Sequence, residues 1–276
     1  MSIDVCLTVD FDGIASWSGG ARRSRSPNLI ARGEFGEVGA NRLLDLFRDR
    51  GLPTTWFTPG HTIDTFPEVC SRLPAEGHEV GYHGYAHEPP SSKRDEGEER
   101  DILTRSMDCI ERLTGTPPIG HRLPGGNLGD RWVDLLLEHG FRYDSSMSPH
   151  DLRPTWVRRG DVAHTDRAHH FGERTDLVEI PFDWSLDDWP YFSPEAPRQE
   201  GLRPPDDVYG IWAAEFDYLA DRLGSGVYVL TVHPQCIGRG SRMLMLERLI
   251  AHMAGRSGVR FTTMSTVADE FRRSHG

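Results

Sequence analysis

Apolar positions along this chain follow two alternating patterns. Short runs of apolar and β-branched residues, such as Ile3–Val9 and Val227–Val232, have the length and composition of buried strands. Longer segments repeat their apolar residues every three to four positions, and Glu96–Thr114 shows this helical period before it ends at Gly115. The chain is therefore predicted to consist of strands and helices in alternation.

The alternation continues to the C-terminus. Repeated strand–helix units produce a parallel sheet, and this many units predict an α/β fold that closes, or nearly closes, into a (β/α) barrel. We predict that residues 1–276 form one such domain. The other predicted strands are Thr54–Thr58, Glu79–Tyr82, Leu177–Pro181 and Val259–Thr263, and the other predicted helices are Ala40–Arg50, Phe66–Ala75, Arg131–His139, Val208–Leu223, Met243–Gly255 and Val267–Arg273.

Between the first strand and the helix at Ala40–Arg50, residues Ala15–Gly36 are rich in Gly, Ser and Arg and are predicted to be a loop. Structureless loops of this length in a compact domain are usually functional or disordered. Its arginines could reach over the site of a neighbouring copy, so we expect a homo-oligomer. These arginines are Arg22, Arg23, Arg25 and Arg32.

Composition narrows the possible partners and the compartment. The net charge of −11 argues against a nucleic acid or an anionic membrane as the main partner. Four cysteines without a CxxC pair indicate reduced thiols in a cytosolic setting. No apolar stretch reaches the roughly 18 residues of a transmembrane helix, and the chain starts directly in a strand pattern. We therefore predict a cytoplasmic protein without a signal peptide.

Charged and imidazole side chains follow several of the predicted strands. In a parallel barrel the loops after the strands open on one face, so these side chains are expected to meet there. Burying the two carboxylates is costly unless positive charge lies opposite them. The residues concerned are Asp10, Asp12, His83, His87, Arg122 and His233.

His83 and His87 are spaced as metal ligands. Two histidines four residues apart on one helical turn lie on the same face and can bind one ion. A carboxylate from another strand completes a site of two histidines and one acid, with positions left for water and substrate. This set suits Zn²⁺ first, and also Co²⁺ or Fe²⁺.

Five ordered segments resemble the motifs of the polysaccharide deacetylases, a family of carbohydrate esterases. The resemblance covers nearly the whole chain and implies a distorted, incomplete (β/α) barrel with amide-hydrolase activity. The segments are TVDFDG (Thr8–Gly13), HGYAH (His83–His87), RLPGG (Arg122–Gly126), FDWSLDDW (Phe182–Trp189) and LTVH (Leu230–His233).

Two positions depart from the usual motifs of that family. The acids Asp10 and Asp12 are separated by Phe11 rather than adjacent, and Gly84 stands where Ser or Thr is usual. Both departures are similar to a subset that includes peptidoglycan-deacetylase-like proteins, cyclic imide hydrolases and allantoinase-like enzymes. The resemblance thus implies deacetylation of N-acetylated amino sugars of peptidoglycan or related glycans, with cyclic imide or ureide hydrolysis as the alternative.

The resemblance also implies roles for the polar residues. Asp12, His83 and His87 would hold the metal, and Asp10 would act as the base that deprotonates the attacking water. Arg122 would pair with Asp10 and keep it ionised.

On the leaving-group side, the resemblance makes His233 the general acid. One of Asp183, Asp187 and Asp188 would orient it, and the sequence does not say which. The substrate would be contacted by residues of the third and fourth motifs, namely Pro124, Trp184, Asp187 and Asp188, with Trp189 as a further wall of the pocket.

Two other functions are compatible with parts of the pattern. An iron oxygenase also uses two histidines and one carboxylate. A sugar-binding module could retain the fold without catalysis. The separate presence of Asp10, Arg122 and His233 favours hydrolysis over both.

Overall fold

A computed structural model describes residues 2–19, 24–91, 93–125, 128–193 and 202–276. Within these residues, strands form one curled, mostly parallel sheet in the order β6-β7-β5-β4-β3-β2-β1-β8, and β9 lies beside the start of β1. Only β6 and β7 pair antiparallel there. The strands are β1 Ile3–Asp10, β2 Thr55–Thr58, β3 Glu79–Tyr82, β4 Gly120–His121, β5 Tyr143–Asp144, β6 Thr155–Arg159, β7 Glu173–Glu179, β8 Gly226–Val232 and β9 Val259–Phe261.

Helices follow most strands. A 3₁₀ turn at Trp184–Leu186 and a π-helical segment at Leu219–Leu223 complete the regular structure of the described ranges. The helices are α1 Ala15–Ser18, α2 Pro27–Arg50, α3 Gly60–Thr65, α4 Pro67–Ala75, α5 Glu96–Thr114, α6 Asp130–Glu138, α7 Trp189–Phe192, α8 Pro205–Tyr218, α9 Pro234–Ile237, α10 Gly240–Ala254 and α11 Met264–His275.

Strand β1 lies between β2 and β8, near one end of the strand order, and its side chains alternate between two cores. Val5, Leu7 and Val9 belong to the larger core, which lies between the sheet and the surrounding helices. Cys6 belongs to the second core inside the curl, which residues of α11 also enter. Since successive side chains of a strand point to opposite faces, Asp10 shares the inner face with Cys6. The acid therefore ends the strand inside the curl, at its carboxyl end.

The sheet does not close through regular pairing between β6 and β8. Instead, the segment after β7 crosses to the edge of β8, where Asp187 bridges Thr231 and the amide of Asp188 donates to the carbonyl of Thr231 at 3.1 Å. The result is a half-barrel with an irregular seam, which confirms the predicted distorted (β/α) barrel.

The predicted loop at Ala15–Gly36 is wrong. Helix α2 begins at Pro27 and runs for 24 residues, and the short helix α1 precedes it. Its glycines are buried because backbone approaches them closely: a Cβ on Gly39 would lie 2.1 Å from the carbonyl oxygen of Pro234. These glycines serve packing, whereas the sequence pattern suggested flexibility. Arg22 and Arg23 lie outside the described residues.

The other predicted strands and helices agree with the observed ones within a few residues at each end, except in the 155–179 region. There the chain forms the antiparallel pair β6–β7, of which only the end of β7 was predicted. The short elements α3, α7, α9, β4 and β5 were not predicted. Among the helices of the described ranges, none combines the length and apolarity needed to cross a membrane.

Candidate active site

The carboxyl ends of the strands surround a cavity of about 360 Å³. All of the polar residues predicted at strand ends lie there, together with residues of the third and fourth motifs. The lining includes Asp10, Asp12, His83, His87, Arg122, Pro124, Trp184, Asp187, Trp189 and His233.

Arg122 and Asp10 form a buried ion pair at the base of this cavity. Arg122 Nη1 lies 2.9 Å from Asp10 Oδ1, and both side chains are nearly inaccessible to solvent. The same nitrogen donates to Thr8 Oγ1 at 2.7 Å. Arg122 Nε donates to the carbonyl of Ser145 at 3.0 Å, and Nη2 donates to its hydroxyl at 2.9 Å. The guanidinium also lies over the ring of Phe57 at 4.3 Å. These contacts hold Arg122 rigidly and direct one donor at Asp10.

Asp12 faces two imidazole nitrogens. Its Oδ1 lies 3.4 Å from His83 Nε2 and 3.6 Å from His87 Nε2, yet this buried oxygen has no hydrogen-bond partner in the described part of the chain. His83 Nδ1 is 2.9 Å from the carbonyl of Arg122, which can only accept, so Nδ1 carries a proton and Nε2 is the nitrogen that faces Asp12. The ligand atoms of Asp12, His83 and His87 all lie within 4.8 Å of one another, as the ligands of one cation do.

Ionisation states support the same interpretation. Burial lowers the pKa of His87 to about 4, so its imidazole is neutral at neutral pH. Burial also opposes ionisation of Asp12, but in the acid range, where His87 is protonated, the surrounding histidines outweigh burial and hold the pKa of Asp12 below its usual range. A buried carboxylate faced by a neutral imidazole lacks a permanent positive partner.

The segment His83–His87 is not a helical turn, contrary to the prediction. Gly84 and His87 both have positive φ, at 76° and 59°, so the chain turns back and brings His87 beside His83. Glu88 Oε2 accepts the amides of Tyr85 and Ala86 at 3.0 and 2.6 Å, which stabilises the turn. The positive φ explains glycine at position 84, where the family usually has Ser or Thr.

His233 follows β8 and points its Nε2 into the cavity, 4.0 Å from Oδ2 of both Asp10 and Asp12. Its other nitrogen, Nδ1, lies 2.7 Å from Asp188 Oδ1, and this oxygen also accepts the amide of His233 at 2.9 Å. Asp187 is more distant from Nδ1, at 3.6 Å. Asp188 therefore orients His233, a choice that the sequence left open.

Asp188 is not positioned as the predicted substrate contact. Its side chain is fully buried behind His233 and does not line the cavity, because the seam of the barrel brings it against the end of β8. Asp187 does line the cavity, and burial raises its pKa to about 7. Burial opposes protonation of His233, but Asp187 and Asp188 raise its pKa well above the usual range, so the imidazole holds a proton at neutral pH.

Aromatic and proline side chains form the apolar part of the cavity wall. Trp184 is 58% exposed at the rim and packs edge-on against Phe182, with ring centroids 5.0 Å apart. Trp189 lies deeper, with its ring 5.1 Å from that of His233. Pro124 completes this wall, which offers an apolar surface beside the polar groups.

A second buried network supports the loop that carries Arg122. Trp132 Nε1 donates to His121 Nε2 at 2.9 Å, so His121 Nδ1 carries the proton toward Asp144, 2.5 Å away. Glu179 Oε1 accepts the amides of Ser146 and Met147 at 3.0 and 2.8 Å. Burial, with Asp144 next, raises the pKa of Glu179 well above its usual range.

Comparison with known proteins decides the family. A model of the family described as polysaccharide deacetylase matches residues 35–143. The chain is 40% identical to a peptidoglycan deacetylase of Helicobacter pylori over 280 residues, which cover 97% of this chain and 95% of that protein.

The chain belongs to the polysaccharide deacetylase family. It is thus a hydrolase of carbon–nitrogen amide bonds, as the resemblance of the five motifs implied.

Solved structures of the polysaccharide deacetylase fold agree with this assignment. A structure described as a polysaccharide deacetylase from Mycobacterium smegmatis superposes with a TM-score of 0.82 and 32% identity, covering 99% of this chain and 91% of that one. An allantoinase structure superposes with a TM-score of 0.80 at 22% identity, covering 99% of this chain and 91% of its own, and shows the shared fold alone.

Sequence reasoning missed several polar residues of this polysaccharide deacetylase site. Gln235 Nε2 donates to Asp12 Oδ2 at 3.2 Å, and it stands two residues after His233, where its side chain carried no metal or acid–base signal. Thr8 and Ser145 hold Arg122, but a hydroxyl in a strand pattern is typical of ordinary β structure. Glu88 stabilises the histidine turn.

Proposed function

We propose that this protein is a metal-dependent amidohydrolase that removes the acetyl group from N-acetylated amino sugars of peptidoglycan or related glycans. The observation that carries the proposal is Asp12 Oδ1, a buried oxygen that faces two histidine nitrogens and has no hydrogen-bond partner among the described residues, with Asp10 and His233 close by. The similarity to the peptidoglycan deacetylase over nearly the full length of both chains supports the choice of substrate.

Asp12, His83 and His87 would hold the cation, and the donor set fits it. Two imidazole nitrogens and one carboxylate oxygen are the set that catalytic zinc sites use, with one position left open. We propose Zn²⁺, with Co²⁺ or Fe²⁺ as substitutes. When bound, such an ion polarises the amide carbonyl and lowers the pKa of water.

Asp10 would take the proton of the attacking water. Arg122 occupies its Oδ1, so Oδ2 is the oxygen that can accept. That oxygen faces the nitrogens of His83 and His233 at 3.8 and 4.0 Å. A water bound between them would lie within reach of the base.

His233 would protonate the leaving nitrogen. Asp188 fixes its ring by accepting from Nδ1, so Nε2 carries the second proton into the cavity. Because the imidazole is protonated at neutral pH, it can release this proton when the carbon–nitrogen bond breaks. Asp10 and His233 then act on opposite sides of the scissile bond.

Trp184, Trp189 and Pro124 would contact the sugar face or the acetyl methyl, and Asp187 would contact a polar group of the substrate. An exposed tryptophan at a cavity rim offers a flat apolar surface on which a sugar ring can lie. We further propose a cytoplasmic location and a homo-oligomer, as expected from the sequence.

The products of the reaction test this function. We expect metal-loaded enzyme to release acetate and free amine from N-acetylglucosamine oligomers or muropeptides. Asp10→Asn is the matched control, because it retains the three proposed ligands and loses the base.

Cyclic imide or ureide hydrolysis is the alternative outcome, since the allantoinase fold neighbour shows that related barrels accommodate such a reaction. Succinimide, dihydrouracil and allantoin are assayed in parallel for ring opening. A kcat/KM for ring opening far above that for acetate release would contradict the proposed substrate and leave the base and acid in place.

A further inference from the structure

A second, smaller cavity of about 80 Å³ lies next to the active site. Trp17 lines this cavity and packs against Trp189 of the active-site cavity, with ring centroids 5.9 Å apart. Cys236 and Phe192 contribute apolar surface. The remaining lining is polar and mostly cationic: Arg32, Ser193, Gln235, Arg239 and Arg242.

Two of the arginines form no salt bridge in the described ranges, although the carboxylate of Asp188 acts on Arg242 from a longer distance. Arg242 Nη1 donates to the carbonyl of Cys236 at 2.6 Å and its guanidinium lies over Phe192, while Arg239 lies over Phe35 at 3.5 Å. Burial, with a contribution from Arg239, lowers the pKa of Arg242, as expected where cations are close and incompletely solvated. This grouping is unusual in a chain with a net charge of −11.

Two buried polar atoms beside these cations also have no hydrogen-bond partner among the described residues. Ser193 is 7% exposed and its Oγ is unpaired, and Gln235 is 8% exposed and its Oε1 is unpaired. Buried polar groups are nearly always satisfied, so such atoms indicate a ligand or an ordered water. The volume exceeds the roughly 10–15 Å³ that one water needs and admits a larger group.

We propose that this cavity binds a small tetrahedral oxyanion of the phosphate or sulfate class. The guanidinium groups of Arg239 and Arg242 supply charge-assisted hydrogen bonds, which suit the oxygens of such an anion. Ser193 Oγ donates to a further oxygen, and Gln235 Oε1 accepts from a protonated oxygen or a bridging water. Arg239 is also the N-cap of α10, so the positive end of that helix adds to the field.

Gln235 connects the proposed anion site to the active site. It donates from Nε2 to Asp12 and also lines the second cavity. Its amide cannot be reversed without losing the bond to Asp12, because a carboxylate only accepts. The anion therefore lies one side chain away from the proposed metal ligand, without belonging to the substrate cavity.

Calorimetry with potassium phosphate tests the proposal, at constant ionic strength, with sulfate, acetate and chloride as parallel arms. We expect phosphate and sulfate to bind, and acetate and chloride to bind much more weakly. In Arg242→Gln the dissociation constant for phosphate rises about tenfold or more, the loss expected for one charged hydrogen bond. Arg248→Gln is the matched control on the same helix, where Arg248 pairs with exposed Asp206, and it leaves phosphate binding unchanged.

Ser193→Ala separates binding from folding. Because the change removes an unsatisfied buried hydroxyl, stability without anion stays equal or rises, while phosphate binding weakens. The titrations are repeated on metal-depleted protein, since phosphate also coordinates divalent cations. Binding that disappears on depletion, or that is equal in wild type, Arg242→Gln and Ser193→Ala, overturns the proposal. Acetate binding as tight as phosphate overturns the assignment to a tetrahedral anion.

Discussion

At the scale of single residues, the site depends on how each nitrogen of its histidines is partnered. His83 donates from Nδ1 to a backbone carbonyl and His233 donates from Nδ1 to Asp188, yet the two rings have opposite tasks. The carbonyl partner of His83 is neutral, which suits the proposed metal ligand, whereas the carboxylates beside His233 raise its pKa, which suits the proposed acid. The difference in partner therefore fits the two proposed roles.

Asp188→Asn tests this distinction. The asparagine carbonyl can still accept both bonds from His233, but the negative charge is lost, so the pKa of His233 falls. Since the acid must be protonated to act, the basic limb of the kcat/KM profile moves to lower pH. Steady-state kinetics across pH measure the shift.

The control for this experiment is Asp183→Asn on the same segment. Among the described residues, the carboxylate of Asp183 accepts a hydrogen bond only from the amide of Ser185 and does not contact His233. The pH profile of kcat/KM should therefore keep its wild-type shape. A basic limb that stays in place in Asp188→Asn would show that His233 is not the acid.

At the scale of elements, the sequence predicts well where apolar period and turn signals agree. Glu96–Thr114 has a capping box at Asp95 and a glycine at its C-terminal end, and the predicted bounds are the observed ones. Helix α2 was missed at its start because Gly33, Gly36 and Gly39 have low helix propensity, and only the tertiary structure shows that backbone packs against them. The turn at His83–His87 was misread because the spacing of two histidines does not specify backbone conformation.

Gly39→Ala tests the packing role of that glycine. The new Cβ would meet the carbonyl oxygen of Pro234 at 2.1 Å, so α2 and α9 must separate. We expect a loss of about 1–3 kcal/mol in the free energy of unfolding, as for other overpacked sites. Urea denaturation measures it.

Gly210→Ala is the control, because Gly210 lies in α8 and a Cβ added there would have no neighbouring atom within 4 Å. This variant should gain about 0.5–1 kcal/mol from helix propensity. If both variants change stability equally, close packing is not the reason for Gly39.

Glu179 joins β7 to the loop after β5, and its protonation makes stability depend on pH. The pKa of Glu179 is higher in the folded state than in the unfolded state, where it is about 4.3. Its contribution to the free energy of unfolding is therefore complete below the unfolded pKa and is lost as pH rises through the folded pKa. Glu179→Gln mimics the protonated acid: the amide oxygen accepts the two backbone bonds, and its nitrogen can donate to Asp144. We expect the variant to gain in unfolding free energy relative to wild type as pH rises from 5 to 8.

Urea denaturation at the two pH values measures this difference. Glu179→Ala serves as the comparison, because it leaves the amides of Ser146 and Met147 unsatisfied and should be destabilised at both. If the unfolding free energies of wild type and Glu179→Gln differ by the same amount at pH 5 and at pH 8, the pKa of Glu179 is not raised.

At the scale of the whole molecule, the order of strands explains how distant motifs form one site. β1, β3, β4 and β8 end on the same edge of the sheet, and the seam brings Asp187 and Asp188 to His233. Sequence reasoning could predict this common edge from the strand–helix alternation. It could not predict which acid meets His233, because the crossing of the chain at the seam has no local sequence signal. The single domain and the homo-oligomer stay predictions.

The metal content of two variants tests the central claim most directly. Purified wild type, His87→Ala and Asp10→Asn are loaded with Zn²⁺, dialysed and subjected to elemental analysis, and their acetate release is assayed. We predict one ion per chain in wild type and in Asp10→Asn, with activity lowered about 10²-fold or more in Asp10→Asn, the contribution expected of one acid–base group. His87→Ala should lose most of the metal together with the activity. Full metal occupancy in His87→Ala, or wild-type turnover in Asp10→Asn, would contradict the account.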